Sequence, residues 1–157
     1  MAANGAHGAH GAHGGRETAT AECSVVEIKP LTALDDAAAD RGHALFLAGG
    51  ISNCPDWQSA AVDLFKAEYA GSARLTLINP RRNAYEPGSD NARLQIAWER
   101  SMLQRCSSVL FWFPKETLCP ITLLELGMQM AGQKRMGEQL FVGWHPECAP
   151  HSASSAS

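Results

Sequence analysis

Glu125 occupies an unusual position for a carboxylate, on the apolar side of a short predicted helix. Ile121, Leu124 and Met128 have the i, i+3, i+7 spacing of a helix face that we expect to pack on a sheet, and Glu125 holds the i+4 position of that face. A carboxylate there costs free energy unless it is paired or used in chemistry. It also lies about one turn from the helix N-terminus, where the helix dipole favours an anion. The pattern favours a nucleophilic carboxylate, with a structural glutamate as the alternative.

Two other segments carry residues suited to ligand binding, and each follows a predicted strand. Gly49 and Gly50 let a ligand approach the backbone closely, although the loop lacks the spacing of a dinucleotide-binding or P-loop motif. The alternative is a tight strand-to-helix turn. Arg81 and Arg82 follow the next strand, where two guanidinium groups can hold a phosphate or carboxylate, or remain solvated.

A predicted helix between these segments presents two polar side chains on one face. Gln95 and Glu99 are four residues apart and therefore neighbours, while Leu94 and Trp98 share the adjacent face. This polar pair belongs either to a site or to an exposed stripe.

The elements that must position these residues alternate along the chain. Strands are predicted at 43–48, 74–79, 108–113 and 139–144, and helices at 56–70, 89–105 and 120–132. The order predicts an α/β fold with a parallel sheet, right-handed crossovers and helices on the sheet faces. Residues 25–30 predict an additional edge strand, which gives four to five strands, and we expect the very apolar 108–113 to be central. Ligands of such sheets bind beyond the carboxyl ends of the strands, where all three candidate segments lie.

Length and composition predict one domain with unstructured ends. The chain has 157 residues and begins with a Gly-Ala-His repeat that has nothing to bury. We therefore expect a mostly disordered segment at 1–40, a single domain at 41–146 and a disordered tail at 147–157.

Charge and cysteine usage exclude several classes of partner. The net charge of −3 provides no basic surface for nucleic acid or anionic lipid, and no apolar run reaches the length of a membrane span. The N-terminus lacks the features of a signal peptide. Five widely spaced cysteines without a CxxC pair favour reduced thiols in a cytoplasmic protein over a zinc site or disulfide framework.

Several of these segments together resemble the nucleoside 2-deoxyribosyltransferase-like proteins. The matching pieces are 46–51 (FLAGGI), 79–82 (NPRR), Gln95 with Trp98 and Glu99, and a run from 111–117 (FWFPKET) through 120–122 (PIT) to 125–127 (ELG). The resemblance extends over residues 44–144. It implies a flavodoxin-like three-layer sandwich that acts on a small nucleoside or nucleotide without metal or cofactor, and it is compatible with a homo-oligomer.

The resemblance also assigns roles to residues. Family members attack C1′ of the sugar with the glutamate of an E-[LI]-G segment, here Glu125, and form a covalent glycosyl-enzyme that a second base or water resolves. Glu99 matches the acidic residue that assists at the sugar hydroxyls, and the glycine loop lines the base pocket. The candidates for substrate binding are Gly49, Gly50, Ile51, Asn53, Trp57, Asn79, Arg81, Arg82, Gln95, Trp98 and Pro120.

One departure keeps alternatives open. Better-known transferases carry an acid and a glycine just before the catalytic helix, where this chain has Leu118, Cys119 and Pro120. We expect cleavage or exchange of the N-glycosidic bond of a (deoxy)nucleoside. The alternatives are an N-glycosidase of nucleoside monophosphates, with Arg81 and Arg82 on the phosphate, and a catalytically silent nucleotide-binding module.

Overall fold

The structure, a computed structural model, describes residues 24–32, 43–71, 73–82, 89–132 and 139–147. In these residues, five strands and three helices alternate in the predicted order. They are β1 (Val25–Ile28), β2 (His43–Gly49), α1 (Trp57–Glu68), β3 (Leu75–Ile78), α2 (Ser89–Arg105), β4 (Ser108–Phe113), α3 (Pro120–Ala131) and β5 (Gln139–Trp144). The N-terminal repeat and the C-terminal tail lie outside the described residues, so the prediction of disorder there stays a prediction.

The strands form one all-parallel sheet in the order β1-β3-β2-β4-β5. This confirms the α/β flavodoxin-like sandwich and the predicted edge strand, β1. The chain leaves β2 toward β3 on one side and crosses to β4 on the other, which makes a switch point between β2 and β4. The prediction that 108–113 is the central strand is wrong by one position, because β1 extends the sheet beyond β3 and so places β2 in the middle.

Local sequence explains why the elements begin and end where they do. The five residues from Ala44 to Ala48 are all buried, as expected for an apolar strand covered on both faces. Asp56 caps α1, since its Oδ1 accepts a hydrogen bond from the Ser59 amide at 3.0 Å. Pro120 occupies the first turn of α3, where its missing N–H costs nothing.

Two apolar cores fix the layers on either side of the sheet. Phe46 and Phe111 pack with Trp98 of α2 on one face. On the other face, Leu47 and Leu77 pack with Val62 of α1 and other residues. The sheet and helices therefore hold the strand ends rigidly, and the loops beyond those ends can form a site.

The face of α3 that packs on the sheet is not the one predicted from its apolar stripe. Ile121, Leu124 and Met128 are 67%, 62% and 64% exposed, whereas Thr122 is buried and Leu126 packs against the core beside α2. The helix has apolar residues on several sides, so hydrophobicity alone does not decide its rotation. Glu125 is on the edge of the inward face, three residues after Thr122, and not in the middle of a buried stripe.

Candidate active site

A cavity of about 240 Å³ opens beyond the carboxyl ends of β2 and β4. Its position at the switch point is where open α/β sheets bind ligands, and its volume suits one small molecule. All three segments singled out in the sequence contribute to its walls. The lining residues are Phe46, Ala48, Gly49, Gly50, Ile51, Ser52, Pro80, Glu99, Thr117, Cys119, Pro120, Ile121, Thr122 and Glu125.

Glu125 is the more perturbed of two carboxylates in this cavity. Burial and the nearby charge of Glu99 together raise its pKa to about 7. Water solvates such a carboxylate poorly, so its ionised form is a stronger nucleophile than a carboxylate on the surface.

Glu99 is held in place by its own helix. Its Oε1 accepts a hydrogen bond of 2.7 Å from Nε2 of Gln95, which also donates to the Pro80 carbonyl at 3.1 Å. Burial raises the pKa of Glu99, while the Gln95 hydrogen bond and the charge of Arg82 oppose the rise. The predicted Gln95–Glu99 pair is thus present, and it fixes one carboxylate of the cavity relative to the end of β3.

Close packing within the protein requires two glycines at the end of β2, Gly49 as its last residue and Gly50 just after it. A Cβ atom at Gly49 would lie 2.5 Å from the Trp112 carbonyl oxygen and 2.6 Å from Cζ2 of Trp57. At Gly50 it would lie 2.9 Å from Sγ of Cys119. Larger residues at these two positions would therefore displace the loop from its contacts with Trp57, Trp112 and Cys119.

The Gly50 carbonyl is anchored from the side of α1. It accepts hydrogen bonds from Nε1 of Trp57 at 3.0 Å and from Nε2 of Gln58 at 3.2 Å, and Gln58 is fully buried. Trp57 does not line the cavity; it supports the loop that does.

Arg81 ties the rest of this loop to the end of β3. Its Nη1 donates to the Pro55 carbonyl at 3.0 Å and to Oε1 of Gln58 at 3.1 Å, and its Nη2 donates to the carbonyls of Ile51 at 2.8 Å and Cys54 at 3.1 Å. The four hydrogen bonds use both terminal nitrogens, so in this arrangement Arg81 braces the loop and does not line the cavity.

The remaining predicted residues are placed around the cavity and not in its lining. Asn79 is buried, with Nδ2 donating to Glu27 and Oδ1 accepting from the Arg81 amide. Trp98 is in the core and donates to the Thr32 carbonyl. Asn53 is exposed in a left-handed conformation, with φ of 58°. Arg82 donates to the Asn91 carbonyl at 2.8 Å.

The sequence reasoning missed most of the small polar and apolar lining residues. Phe46 and Ala48 reach the cavity because alternate residues of β2 point to the same face. Ser52 and Thr117 bring hydroxyl groups from the loops after β2 and β4, and Thr122 brings one from the first turn of α3. Their positions after strand ends were a usable signal, since all three lie within the segments where a ligand was expected.

The described part of the chain contains no group of three or more His, Cys, Asp or Glu residues placed to hold a metal ion. Nor is any of its helices long and apolar enough to cross a membrane.

Arg81→Ala should loosen the glycine loop without unfolding the domain. The substitution leaves the Ile51, Cys54 and Pro55 carbonyls without their donor, so we expect the free energy of unfolding to fall by about 1.5–3 kcal/mol, the contribution of a hydrogen bond to a charged group. Hydrogen exchange should become faster in residues 50–56. Urea denaturation and exchange followed by mass spectrometry measure the two effects.

The matched control is Arg74→Ala, which removes an exposed arginine just before β3. Its unfolding free energy should stay within about 0.5 kcal/mol of wild type. Unchanged exchange in the loop of the Arg81→Ala protein would contradict the bracing role.

Comparison with known proteins assigns the chain to a family. No curated protein matches the chain. The family model described as "Nucleoside 2-deoxyribosyltransferase like" matches residues 42–137, which is more than half of the sequence and includes Glu99 and Glu125. The resemblance inferred from the four sequence segments is thereby confirmed, and the chain belongs to the nucleoside 2-deoxyribosyltransferase-like family.

Proposed function

We propose that this protein cleaves or exchanges the N-glycosidic bond of a (deoxy)nucleoside, with Glu125 as the nucleophile. The observation that carries the proposal is the pair Glu125 and Glu99, two partly buried carboxylates lining one small cavity at the switch point. Negative charge beside C1′ is what an oxocarbenium-like transition state needs, and this chemistry requires no metal.

The reaction has two displacement steps. A carboxylate oxygen of Glu125 attacks C1′, the C1′–N bond breaks and its electron pair leaves with the base, which is then protonated. The sugar is now an ester of Glu125. A second base, or water, attacks C1′ and loses a proton, the ester bond breaks, and Glu125 leaves as a carboxylate. A base as acceptor gives transfer, and water gives hydrolysis.

Glu99 has a supporting role in this scheme. Its hydrogen bond from Gln95 fixes one oxygen, and the other is available to a sugar hydroxyl in the cavity. Its charge also opposes ionisation of Glu125 and favours positive charge on the sugar. We therefore assign Glu99 to sugar binding and electrostatic stabilisation.

The lining favours a nucleoside over a nucleoside monophosphate. It includes two carboxylates and, among the described residues, no lysine or arginine. A phosphate near two carboxylates would be repelled, and Arg81 is engaged with loop carbonyls. Binding of a phosphate by Arg81 and Arg82 stays a prediction. It would require the loop to rearrange, so that Arg81 no longer donates to the loop carbonyls.

A catalytically silent binding module is the second candidate, and one observation favours it. The cavity wall just before α3 is formed by Thr117 and Cys119, and the described lining contains no third carboxylate to protonate a leaving base. The two candidates differ in whether Glu125 is needed for turnover or only for the shape of the cavity.

Glu125→Gln should abolish turnover while leaving the fold intact. The amide keeps the shape of the side chain but can neither attack C1′ nor stabilise a cationic sugar, so we expect the rate of base release to fall by several orders of magnitude. Stability should be equal or higher, since a partly buried amide costs less than a carboxylate. Chromatographic detection of free base from a panel of deoxynucleosides, ribonucleosides and monophosphates provides the measurement.

The control for this substitution is Glu116→Gln. Glu116 is an exposed carboxylate in the turn after β4 and does not line the cavity, so its loss should leave the rate unchanged. A Glu125→Gln protein that is folded and fully active would refute the nucleophile, and a folded wild-type protein without turnover on any of the panel would favour the silent module.

The pH dependence of kcat/KM should report the ionisation of Glu125. Because the nucleophile must be deprotonated, kcat/KM should decrease as the pH falls through about 7, the pKa to which burial and Glu99 raise this group.

Glu99→Gln removes the repelling charge and lowers the pKa of Glu125, so the residual activity should persist to lower pH. Glu116→Gln should not move the profile. An acidic limb that stays in place in the Glu99→Gln protein would contradict the coupling.

A further inference from the structure

Two successive carbonyl groups of the glycine loop, those of Gly50 and Ile51, accept hydrogen bonds from side chains that do not line the cavity. The Gly50 oxygen accepts from Trp57 and Gln58, and the Ile51 oxygen accepts from Nη2 of Arg81 at 2.8 Å. None of these three donor residues lines the cavity, whereas Gly50, Ile51 and the following serine do. The donors therefore hold the loop from its outer side.

This arrangement determines where the next two amide groups point. In a trans peptide, the N–H lies opposite the carbonyl of the preceding residue. The Ile51 N–H is thus directed away from Trp57 and Gln58, and the Ser52 N–H away from Arg81. Neither amide has a hydrogen-bond acceptor among the described residues.

Building on the proposed function, we infer that the Ile51 and Ser52 amides form a donor pair that binds an acceptor on the leaving base and takes up the negative charge that develops there. The recognised group is a carbonyl oxygen or unprotonated ring nitrogen of a nucleobase. When the C1′–N bond breaks, its electron pair passes into the base and is shared with such an atom, which water protonates after release.

The chemistry of the cavity makes an uncharged donor pair useful. Of the carboxylates in the described lining, Glu125 attacks and Glu99 has an oxygen engaged by Gln95. Backbone N–H groups that are already oriented stabilise developing negative charge without reorganisation, and removal of one such donor in an enzyme typically costs about 10²–10³-fold in rate. Trp57, Gln58 and Arg81 would then be positioning residues, since they act through the loop.

The first test removes one donor from the full-length protein. Replacing Ile51 by its α-hydroxy acid converts the amide to an ester and deletes the N–H while keeping the side chain.

The probes are 2′-deoxyuridine and 5-fluoro-2′-deoxyuridine, whose bases differ in acidity. Single-turnover cleavage of deoxyuridine should slow by about 10²-fold, and that of the fluorinated analogue by clearly less, because its base carries the charge better. The same replacement at Glu116, an exposed residue outside the lining, should leave both rates nearly unchanged. An equal loss with both nucleosides would overturn the inference.

The second test does not depend on turnover and so separates this inference from the proposed function. Uracil is titrated into the full-length protein while the backbone amide resonances are followed by NMR. The Ile51 and Ser52 amide protons should shift downfield, while the Asn53 amide should not. Uracil that fails to bind, or that binds without moving the two amides, would overturn the inference. The expected shifts in a protein that releases no base would support the donor pair and refute the proposed function.

Discussion

The crossing of the chain at β2 is the constraint on which the site depends. Successive crossovers place β3 on one side of this strand and β4 on the other, so the loops after β2 and β4 separate and leave a crevice between them. Every wall of the cavity follows from this one arrangement. The glycine loop continues from β2, Glu99 projects from the helix that joins β3 to β4, and Glu125 comes from the helix that follows β4.

Within this crevice, burial raises the cost of ionising both carboxylates, Glu99 and Glu125. The protein offsets that cost at Glu99, where Gln95 donates a hydrogen bond and Arg82 contributes positive charge. At Glu125 burial and the charge of Glu99 both raise the pKa, so its ionised form is the less stabilised of the two. The asymmetry suits different tasks: a fixed carboxylate that attracts positive charge on the sugar, and a reactive one that forms a bond.

The fold and the three site segments could be predicted from sequence because they depend on local pattern. The apolar strands, the Asp56 cap and the helix-starting proline are properties of neighbouring residues, and the carboxyl-end rule then locates the site. The rotation of α3 could not be predicted, because Ile121 and Leu126 are equally apolar and only the tertiary packing decides between their faces. The role of Arg81 in bracing the glycine loop could not be predicted either, because its carbonyl partners precede it by 26 to 30 residues.

The most direct test of the account is to trap the glycosyl-enzyme. A nucleoside with fluorine at C2′ destabilises positive charge on the sugar, so the ester should form slowly and hydrolyse more slowly still. Intact mass spectrometry should show one added glycosyl group, and peptide mapping should locate it on Glu125, with no adduct in the Glu125→Gln protein. Release of base without any adduct on Glu125, or an adduct on Glu99 instead, would contradict the assignment of Glu125 as the nucleophile.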